Sequence, residues 1–110
     1  MLAYIDVHAH SSRKSVFMYG PYYPLHSRKY LKIRIIPKIV SEISEMFRYY
    51  SCKFKLEKYK ESCARIALWR DFNILNTFTI ESSVFGYLSK DRQTIPFTGE
   101  LLSSFGKEFG

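Results

Sequence analysis

The sequence has no long hydrophobic run and little cysteine. Among its 110 residues no apolar stretch approaches the roughly 20 residues that a membrane-spanning helix needs. Residues 1–15 lack the basic and then apolar order of a secretory signal. The two cysteines, Cys52 and Cys63, have a spacing that fits no cysteine-based zinc signature. We therefore expect a soluble intracellular protein in which both cysteines are reduced core thiols.

Acidic residues are scarce relative to basic ones. The chain has 17 Lys and Arg against 10 Asp and Glu, which gives a formal net charge of +7. This excess favours an acidic partner, such as nucleic acid, an anionic membrane or an acidic peptide, and does not choose among them. The hydrophobic content of 46% and the aromatic content of 17% are ample for the core of one small domain.

The stretch from Ala3 to Ser11 carries the clearest candidate site. Apolar and polar residues alternate up to His8, which predicts a β-strand with Asp6 and His8 on one face. A metal-binding histidine usually donates its second ring N–H to a carboxylate or a backbone carbonyl. Histidines at such positions also fill polar strand ends without binding metal. Two enzyme classes end a strand in this way: zinc carboxypeptidases and barrel-shaped metal-dependent amidohydrolases.

Hydrophobic spacing predicts the remaining elements. We expect strands at 16–20, 51–58 and 77–81, and helices at 37–49, 60–72 and from 98 onwards. Pro37 suits the first turn of the first helix, and the last helix would bury four apolar residues, Leu101, Leu102, Phe105 and Phe109. Alternating strands and helices predict an α/β fold with a mainly parallel sheet.

Aromatic and basic residues are mixed without a clear period at 22–32, where Arg28 and Lys29 lie. Such a mixture can stack bases in a nucleic-acid-binding protein. It is more typical of an irregular surface loop with buried rings, which is the structure that we expect here.

Two blocks of the sequence resemble the cytosolic carboxypeptidases, zinc enzymes of the carboxypeptidase A superfamily that act as deglutamylases. The first block, from Asp6 to Gly20, is similar to the family's DxHGHS motif followed at the same distance by VFMYG. The second block, from Lys60 to Gly86, includes Thr79-Ile80-Glu81-Ser82. The resemblance covers nearly the whole chain and excludes the amidohydrolase alternative, which needs further ligands on a barrel that this chain is too short to form.

The resemblance implies that residues 1–110 are the C-terminal half of a carboxypeptidase A-like α/β/α sandwich with a mixed sheet. It implies Zn2+ as cofactor and removal of C-terminal residues, above all glutamate, from acidic protein tails such as those of tubulin. It also implies a cytoplasmic location, which for an enzyme acting on tubulin includes microtubules and cilia. A membrane partner is not expected, and nucleic acid is a weaker candidate than an acidic tail.

Three residues match functional positions of the family. His8 matches a zinc ligand, and Glu81 matches the general base that acts on water. Arg65 matches a basic residue that meets the acidic side chain of the substrate's last residue, and His10 matches a non-ligand position. Without the resemblance, Glu81 would be taken as a solvated charge and Arg65 as a surface arginine or a partner of Glu61.

The chain departs from the family pattern in its loop and in what precedes it. Ala9 replaces a glycine, and Ser12 and Ser15 replace a basic and an amide residue. The His-x-x-Glu with the other two zinc ligands, and the arginine and Asn-Arg that bind the substrate's terminal carboxylate, have no counterpart before His8. We therefore expect the missing N-terminal half of the catalytic domain as a partner. The alternative is a non-enzymatic basic module that binds acidic protein tails or nucleic acid.

Overall fold

The computed structural model describes residues 3–55 and 64–110. The elements in chain order are β1 (Ala3–His10), β2 (Val16–Tyr19), α1 (Lys29–Ile43), a short 3-10 helix (Tyr49–Ser51), α2 (Ala64–Phe72), β3 (Asn76–Ser83), β4 (Gly86–Leu88), β5 (Thr94–Pro96) and α3 (Gly99–Phe109). No helix within these ranges has the length and hydrophobicity needed to cross a membrane.

Strand β3 lies at the centre of a three-stranded sheet with the order β1-β3-β2. Strand β1 runs parallel to β3, from the pair Ala3 and Asn76 to the pair His10 and Ser83. Strand β2 runs antiparallel to β3. The α/β class and the mixed sheet are therefore confirmed. The expectation of a mainly parallel sheet is wrong, because the short loop of residues 11–15 reverses the chain between β1 and β2, so β2 runs antiparallel to β3.

The apolar residues of one sheet face form the main core. Alternate positions of β2 and β3, among them Met18, Phe78 and Ile80, are buried on this face, and Ile5 of β1 is half-buried there. They pack with Val40 of α1, with Met46 and Phe47 after it, and with the half-buried Leu101, Phe105 and Phe109 of α3. Burying this apolar surface is the main stabilising contribution to the fold. Leu102 remains 45% exposed, so its predicted burial is wrong.

Helix α2 covers the opposite face of the sheet. On this face Phe17, Thr77 and Thr79 are buried. Helix α2 packs against β3 and β1, and its buried residues Arg65 and Ile66 are not part of the main core. The helix predicted at 60–72 is confirmed for 64–72, and residues 60–63, with Glu61 and Cys63, lie outside the described residues.

Helix α1 lies earlier in the chain than the predicted helix at 37–49, since it begins at Lys29 and ends at Ile43. Pro37 lies inside the helix instead of in its first turn, where it cannot donate a hydrogen bond to the carbonyl of Ile33. Ile33, Pro37 and Val40 form the buried stripe, so the segment predicted as an irregular loop at 22–32 contributes the first turn of the helix. The chain becomes extended at Ser44.

Residues 46–53 run along the outer edge of β2. The N–H of Val16 donates to the carbonyl of Met46 and the N–H of Arg48 to the carbonyl of Val16, at 2.9 and 2.8 Å. Further on, Lys53 forms an isolated bridge with Tyr19. The strand predicted at 51–58 is therefore wrong for 51–55, and 56–58 lie outside the described residues. The alternating apolar pattern there reflects packing onto the core, not a regular strand.

The remaining strand and helix predictions stand, with one omission. Strands 16–20 and 77–81 and the last helix are confirmed to within a few residues. Thr98 caps α3, since its Oγ1 accepts the N–H of Leu101 at 3.2 Å. The region after Ser83, where no strand was predicted, contains the antiparallel pair β4 and β5. Gly86 permits that pairing, because a Cβ there would lie 2.2 Å from the carbonyl oxygen of Ile95.

Candidate functional site

His8 and Glu81 lie directly opposite each other on β1 and β3. Partners in a parallel register project their side chains from the same face of the sheet, so the imidazole and the carboxylate are neighbours. Phe17 of β2 is opposite Glu81 on its other side. Two of the three predicted site residues are thus brought together, and Glu81 lies half-buried between two strands and is not a freely solvated charge.

Asp6, two residues before His8 on the same face of β1, is hydrogen-bonded to the His8 imidazole as the sequence predicts. The Nε2 of His8 lies 2.8 Å from Oδ2 of Asp6, and the His8 side chain is 53% exposed. When Nε2 donates its proton to the carboxylate, the imidazole is held in one tautomer with the lone pair of Nδ1 free. In that tautomer Nδ1 of the half-exposed His8 is available to bind a metal, and the ligand role itself stays a prediction.

His10 lies on the same side of the sheet but serves the adjoining loop. Its Nδ1 accepts the backbone N–H of Arg13 at 3.2 Å, and its ring packs on Phe17 with centroids 4.9 Å apart. Its Nε2 is buried without a hydrogen-bond partner among the described residues. Nδ1 of His10 is thus occupied by the loop, and its non-ligand role stays a prediction.

Ser15 anchors the loop between β1 and β2, a role that the sequence did not indicate. It is buried and has a φ of 72°, its N–H donates to the carbonyl of Gly86 at 2.7 Å, and its Oγ accepts the N–H of Leu88 at 3.2 Å. These bonds tie the loop after the histidines to β4. No local pattern around Ser15 could have shown this, because its partners lie more than 70 residues later in the chain.

Arg65 is only 3% exposed, so the alternative of a surface arginine is wrong. It lies in α2, on the side of the sheet that carries Asp6, His8 and Glu81. A buried guanidinium requires hydrogen-bonding or charged groups around it, because burying an uncompensated charge costs several kcal/mol. Its part in reading an acidic substrate stays a prediction, and Glu61 lies outside the described residues.

The described residues do not form a complete metal site. No group of three His, Cys, Asp or Glu side chains within 3–55 and 64–110 is arranged to hold a metal ion. A catalytic zinc has three protein ligands and an open position, and His8 offers one. Cys52 is not a second ligand. Burial raises the pKa of its thiol to about 11, which disfavours the thiolate that binds metal, and its sulfur accepts the N–H of Met18 at 3.3 Å. The predicted zinc therefore needs ligands beyond these residues.

No family model matches this sequence, but individual carboxypeptidases do. Cytosolic carboxypeptidase 2 of Danio rerio is 36% identical over 107 residues, which cover 96% of this chain and 15% of that protein. Cytosolic carboxypeptidase 1 of Mus musculus is 37% identical over 97 residues, covering 77% of this chain and 8% of that protein. Cytosolic carboxypeptidase 3 of Bos taurus is 32% identical over 111 residues, covering 99% of this chain and 11% of that protein.

The fold is also that of a solved enzyme. The structure of a metallo-carboxypeptidase from Burkholderia cenocepacia matches with a TM-score of 0.74 at 13% identity, covering 97% of this chain and 28% of that chain. The likeness at this identity concerns the fold alone. The chain thus spans a small part of each protein that it matches.

Proposed function

This chain is a homologue of one segment of the cytosolic carboxypeptidases, and we propose that it contributes catalytic residues to a zinc-dependent carboxypeptidase acting on acidic protein tails. The observation that carries the proposal is the register of β1 and β3, in which His8, held by Asp6, lies opposite Glu81. A ligand-competent imidazole next to a carboxylate on one sheet face is the pairing that metal-assisted peptide hydrolysis uses.

Each of the three residues has a distinct task in this proposal. Asp6 orients the imidazole, and His8 offers Nδ1 as one ligand of the metal. Glu81 accepts a proton from the attacking water and returns it to the leaving amine, as a general acid–base residue does. Zinc, when bound, supplies a Lewis acid for the scissile carbonyl. The other ligands come from polypeptide beyond the described residues, and the chain alone is expected to have no appreciable carboxypeptidase activity.

The proposed substrate is a protein with an acidic C-terminal tail, such as tubulin, from which glutamate is removed. The net charge of +7 attracts such a tail. Arg65 lies on the same side of the sheet as His8 and Glu81. It is the candidate residue for binding the side-chain carboxylate of a terminal glutamate. A cytosolic location is part of the proposal, since the relatives are named cytosolic carboxypeptidases.

A chimera tests this function. The matching segment of the Danio rerio cytosolic carboxypeptidase 2 is replaced by this chain, and the bound zinc and the release of glutamate from a peptide ending in several glutamates are measured. The unaltered Danio rerio protein is the positive control. We expect the chimera to bind zinc and release glutamate. A chimera that folds and binds zinc but does not cleave, while its parent does, contradicts the proposal.

A binding module without catalysis is the second candidate, favoured by the incomplete ligand set of the described residues and by the basic charge. Fluorescence anisotropy of the 110-residue chain with a labelled polyglutamate peptide and with a labelled oligonucleotide separates the two. Micromolar binding to either probe together with an inactive chimera supports the module. Weak binding to both with an active chimera supports the enzyme.

A further inference from the structure

The outer side of α1 borders a groove that combines apolar and cationic side chains. Helix α1 buries Ile33, Pro37 and Val40. Between its other side and the short 3-10 helix lies a groove of about 440 Å3, here called the α1 groove. It is lined by Leu31, Arg34, Ile35 and Lys38 of α1 and by Tyr49 and Tyr50 of the 3-10 helix. A groove of this size accommodates several side chains of a ligand.

The apolar side chains of the α1 groove are largely exposed. Leu31 is 71% exposed, Ile35 is 53% exposed and Tyr50 is 98% exposed. Leu31 and Ile35 are four residues apart on the helix, so their side chains are neighbours and form one aliphatic strip. Contiguous exposed apolar surface marks interaction sites more often than scattered apolar residues do. The strip suits an aliphatic or aromatic side chain of a ligand.

Arg34, at the border of the α1 groove, is held in a fixed orientation. Its guanidinium carbon lies 3.6 Å from the centroid of the Tyr30 ring and 4.2 Å from the centroid of the Phe54 ring. Its Nη1 donates to the carbonyl of Tyr30 at 2.7 Å, which uses one of the five N–H donors of a guanidinium. A planar cation that is already fixed loses little further side-chain entropy when it binds a carboxylate.

Lys38 supplies a second cation. Its Nζ lies 5.6 Å from the centroid of the Tyr49 ring and 2.8 Å from a carboxylate oxygen of Glu42. Both side chains of this ion pair are more than half exposed, and an exposed pair at this helical spacing is weak. Lys38 can therefore exchange Glu42 for a carboxylate of a ligand.

The positive charge of the chain is concentrated in the segment that forms the α1 groove. Residues 20–55 contain eight Lys and Arg against two Glu. This segment therefore carries +6 of the formal net charge of +7. A field of this sign attracts an anionic partner and speeds its encounter with the surface.

We propose that the α1 groove docks an acidic peptide segment that carries an aliphatic or aromatic anchor residue between its carboxylates. The anchor packs on Leu31, Ile35 and Tyr50. The carboxylates on either side of the anchor bind Arg34 and Lys38. The groove thus selects for the combination of one apolar side chain with negative charge, and not for negative charge alone.

The α1 groove is separate from the proposed catalytic residues. Helix α1 covers the core face of the sheet through Val40, whereas His8 and Glu81 project from the face that α2 covers. Docking at the groove therefore requires neither zinc nor a free C-terminal carboxylate on the peptide. It goes beyond the proposed function and does not depend on it.

An acidic peptide fits the α1 groove better than a nucleic acid does. Single-stranded nucleic acids are bound by successive aromatic rings on which bases stack. The centre of this groove is aliphatic, and the rings of Tyr30 and Phe54 are already stacked on Arg34. A peptide places an apolar side chain and carboxylates a few ångströms apart, which matches the strip and its two bordering cations.

Two labelled peptides test whether the anchor matters. Both are rich in glutamate and end in an amide, which a carboxypeptidase site does not accept as a substrate terminus. One has a central leucine, and the other has serine in its place. In fluorescence anisotropy, the 110-residue chain should bind the leucine peptide at least about 5-fold more tightly, because only leucine buries apolar surface. Equal affinities for the two peptides overturn the inference.

A matched pair of isoleucines in α1 tests the position of the site. Ile35 and Ile43 are 53% and 54% exposed, but Ile43 lies about 12 Å further along the helix axis and lines a different groove. Ile35→Ser should weaken binding of the leucine peptide by roughly 5-fold to 20-fold, because it removes part of the aliphatic strip. Ile43→Ser should leave the affinity unchanged. Equal effects of the two substitutions mean that the α1 groove is not the site.

A matched pair of lysines separates a specific contact from general attraction. Lys38 lines the α1 groove, whereas Lys32 is exposed on the same helix and does not line it. Lys38→Gln should weaken binding of the leucine peptide by about 3-fold or more at low ionic strength, and Lys32→Gln should weaken it less. Equal losses would show that the peptide is attracted by net charge only, and the inference would be wrong.

The remaining measurements test other occupants of the α1 groove. A labelled single-stranded oligonucleotide that binds more tightly than the leucine peptide and is weakened by Ile35→Ser would identify a nucleic-acid site. A dimer that Ile35→Ser dissociates in sedimentation would identify a second copy of the chain. Loss of peptide binding in the chimera with the Danio rerio protein would show that the rest of that protein covers the groove. Each of these three results overturns the inference.

The chimera also separates the docking site from the proposed function. A folded chimera that binds the leucine peptide but has no turnover contradicts the function and supports the docking site. A chimera that releases glutamate but does not bind the leucine peptide supports the function and contradicts the docking site.

Discussion

His8 and Glu81 occupy the same level of two parallel neighbouring strands, at the point where β1 reaches its end. Neither residue alone distinguishes a functional site from a polar strand end. Their shared level, with Asp6 bonded to the imidazole at 2.8 Å, places a candidate ligand and a candidate base on one face of the sheet. The following predictions use the chimera described above, where zinc binding and turnover can be measured.

Removing the ligand and removing the base should have different effects. His8→Ala should lower the zinc content of the chimera, because it deletes one of the three ligands. Glu81→Gln should retain zinc and lower kcat by about 100-fold to 10,000-fold, because the amide cannot accept a proton. Metal content by mass spectrometry and steady-state kinetics measure both. Undiminished zinc in the first variant, or normal turnover in the second, would refute the assignments.

The matched control for this pair is His10→Ala, two residues along the same strand. It should keep the zinc, because Nδ1 of His10 accepts the N–H of Arg13 and is not free to bind a metal. Loss of zinc equal to that of His8→Ala would show that the two imidazoles had been assigned the wrong way round.

Asp6→Asn should weaken zinc binding without removing a ligand. The carboxylate holds His8 through Nε2, and loss of such an outer partner typically costs 10-fold to 100-fold in metal affinity. Competition with a fluorescent chelator measures the zinc dissociation constant. Asp71→Asn, at an exposed carboxylate bonded to Arg70, is the control and should have no effect. Equal affinities of both variants would rule out a supporting role for Asp6.

Arg65 should determine the preference for glutamate as the terminal residue. A desolvated guanidinium binds a carboxylate through charge-assisted bonds, and its loss should lower kcat/KM for glutamate by about 30-fold or more, with a smaller loss for leucine. Because Arg65 is buried, Arg65→Ala will also reduce folded enzyme. The ratio of kcat/KM for the two substrates cancels that loss. An unchanged ratio means that Arg65 supports only the fold.

Cys52 should make stability fall at alkaline pH. Burial raises the pKa of this thiol from 9.0 to about 11, so the native state holds the proton after the unfolded state has released it. The resulting stability is present below pH 9 and is lost as the pH rises towards 11, by on the order of 2 kcal/mol. Urea unfolding at pH 8 and pH 11, in a Cys63→Ser background with and without Cys52→Ala, measures it. The alkaline loss should be smaller in the Cys52→Ala protein, and equal losses would exclude Cys52 as the cause.

The sequence alone predicted those parts of the fold that depend on local spacing. The period-two alternation around Asp6 and before Glu81 predicted two strands correctly, because a half-buried strand needs that pattern. The apolar residues after Thr98 recur every three to four positions, and this spacing predicted α3, because a helix that packs on one face needs it. The two motif blocks also identified the family and gave His8 and Glu81 as candidate site residues, since motifs preserve chemistry independently of the contacts around them.

Tertiary contacts decided what local spacing left ambiguous. Met46 and Phe47 continue the helical spacing of α1, yet they lie in a segment that pairs with β2, because backbone bonds to Val16 satisfy these groups better than another helical turn. Only the assembled sheet aligns His8 with Glu81, buries Arg65 under α2 and leaves β1 open at its edge. Register, burial and open edges arise from residues far apart in the chain, and hydrophobic periodicity contains no information about which distant segments meet.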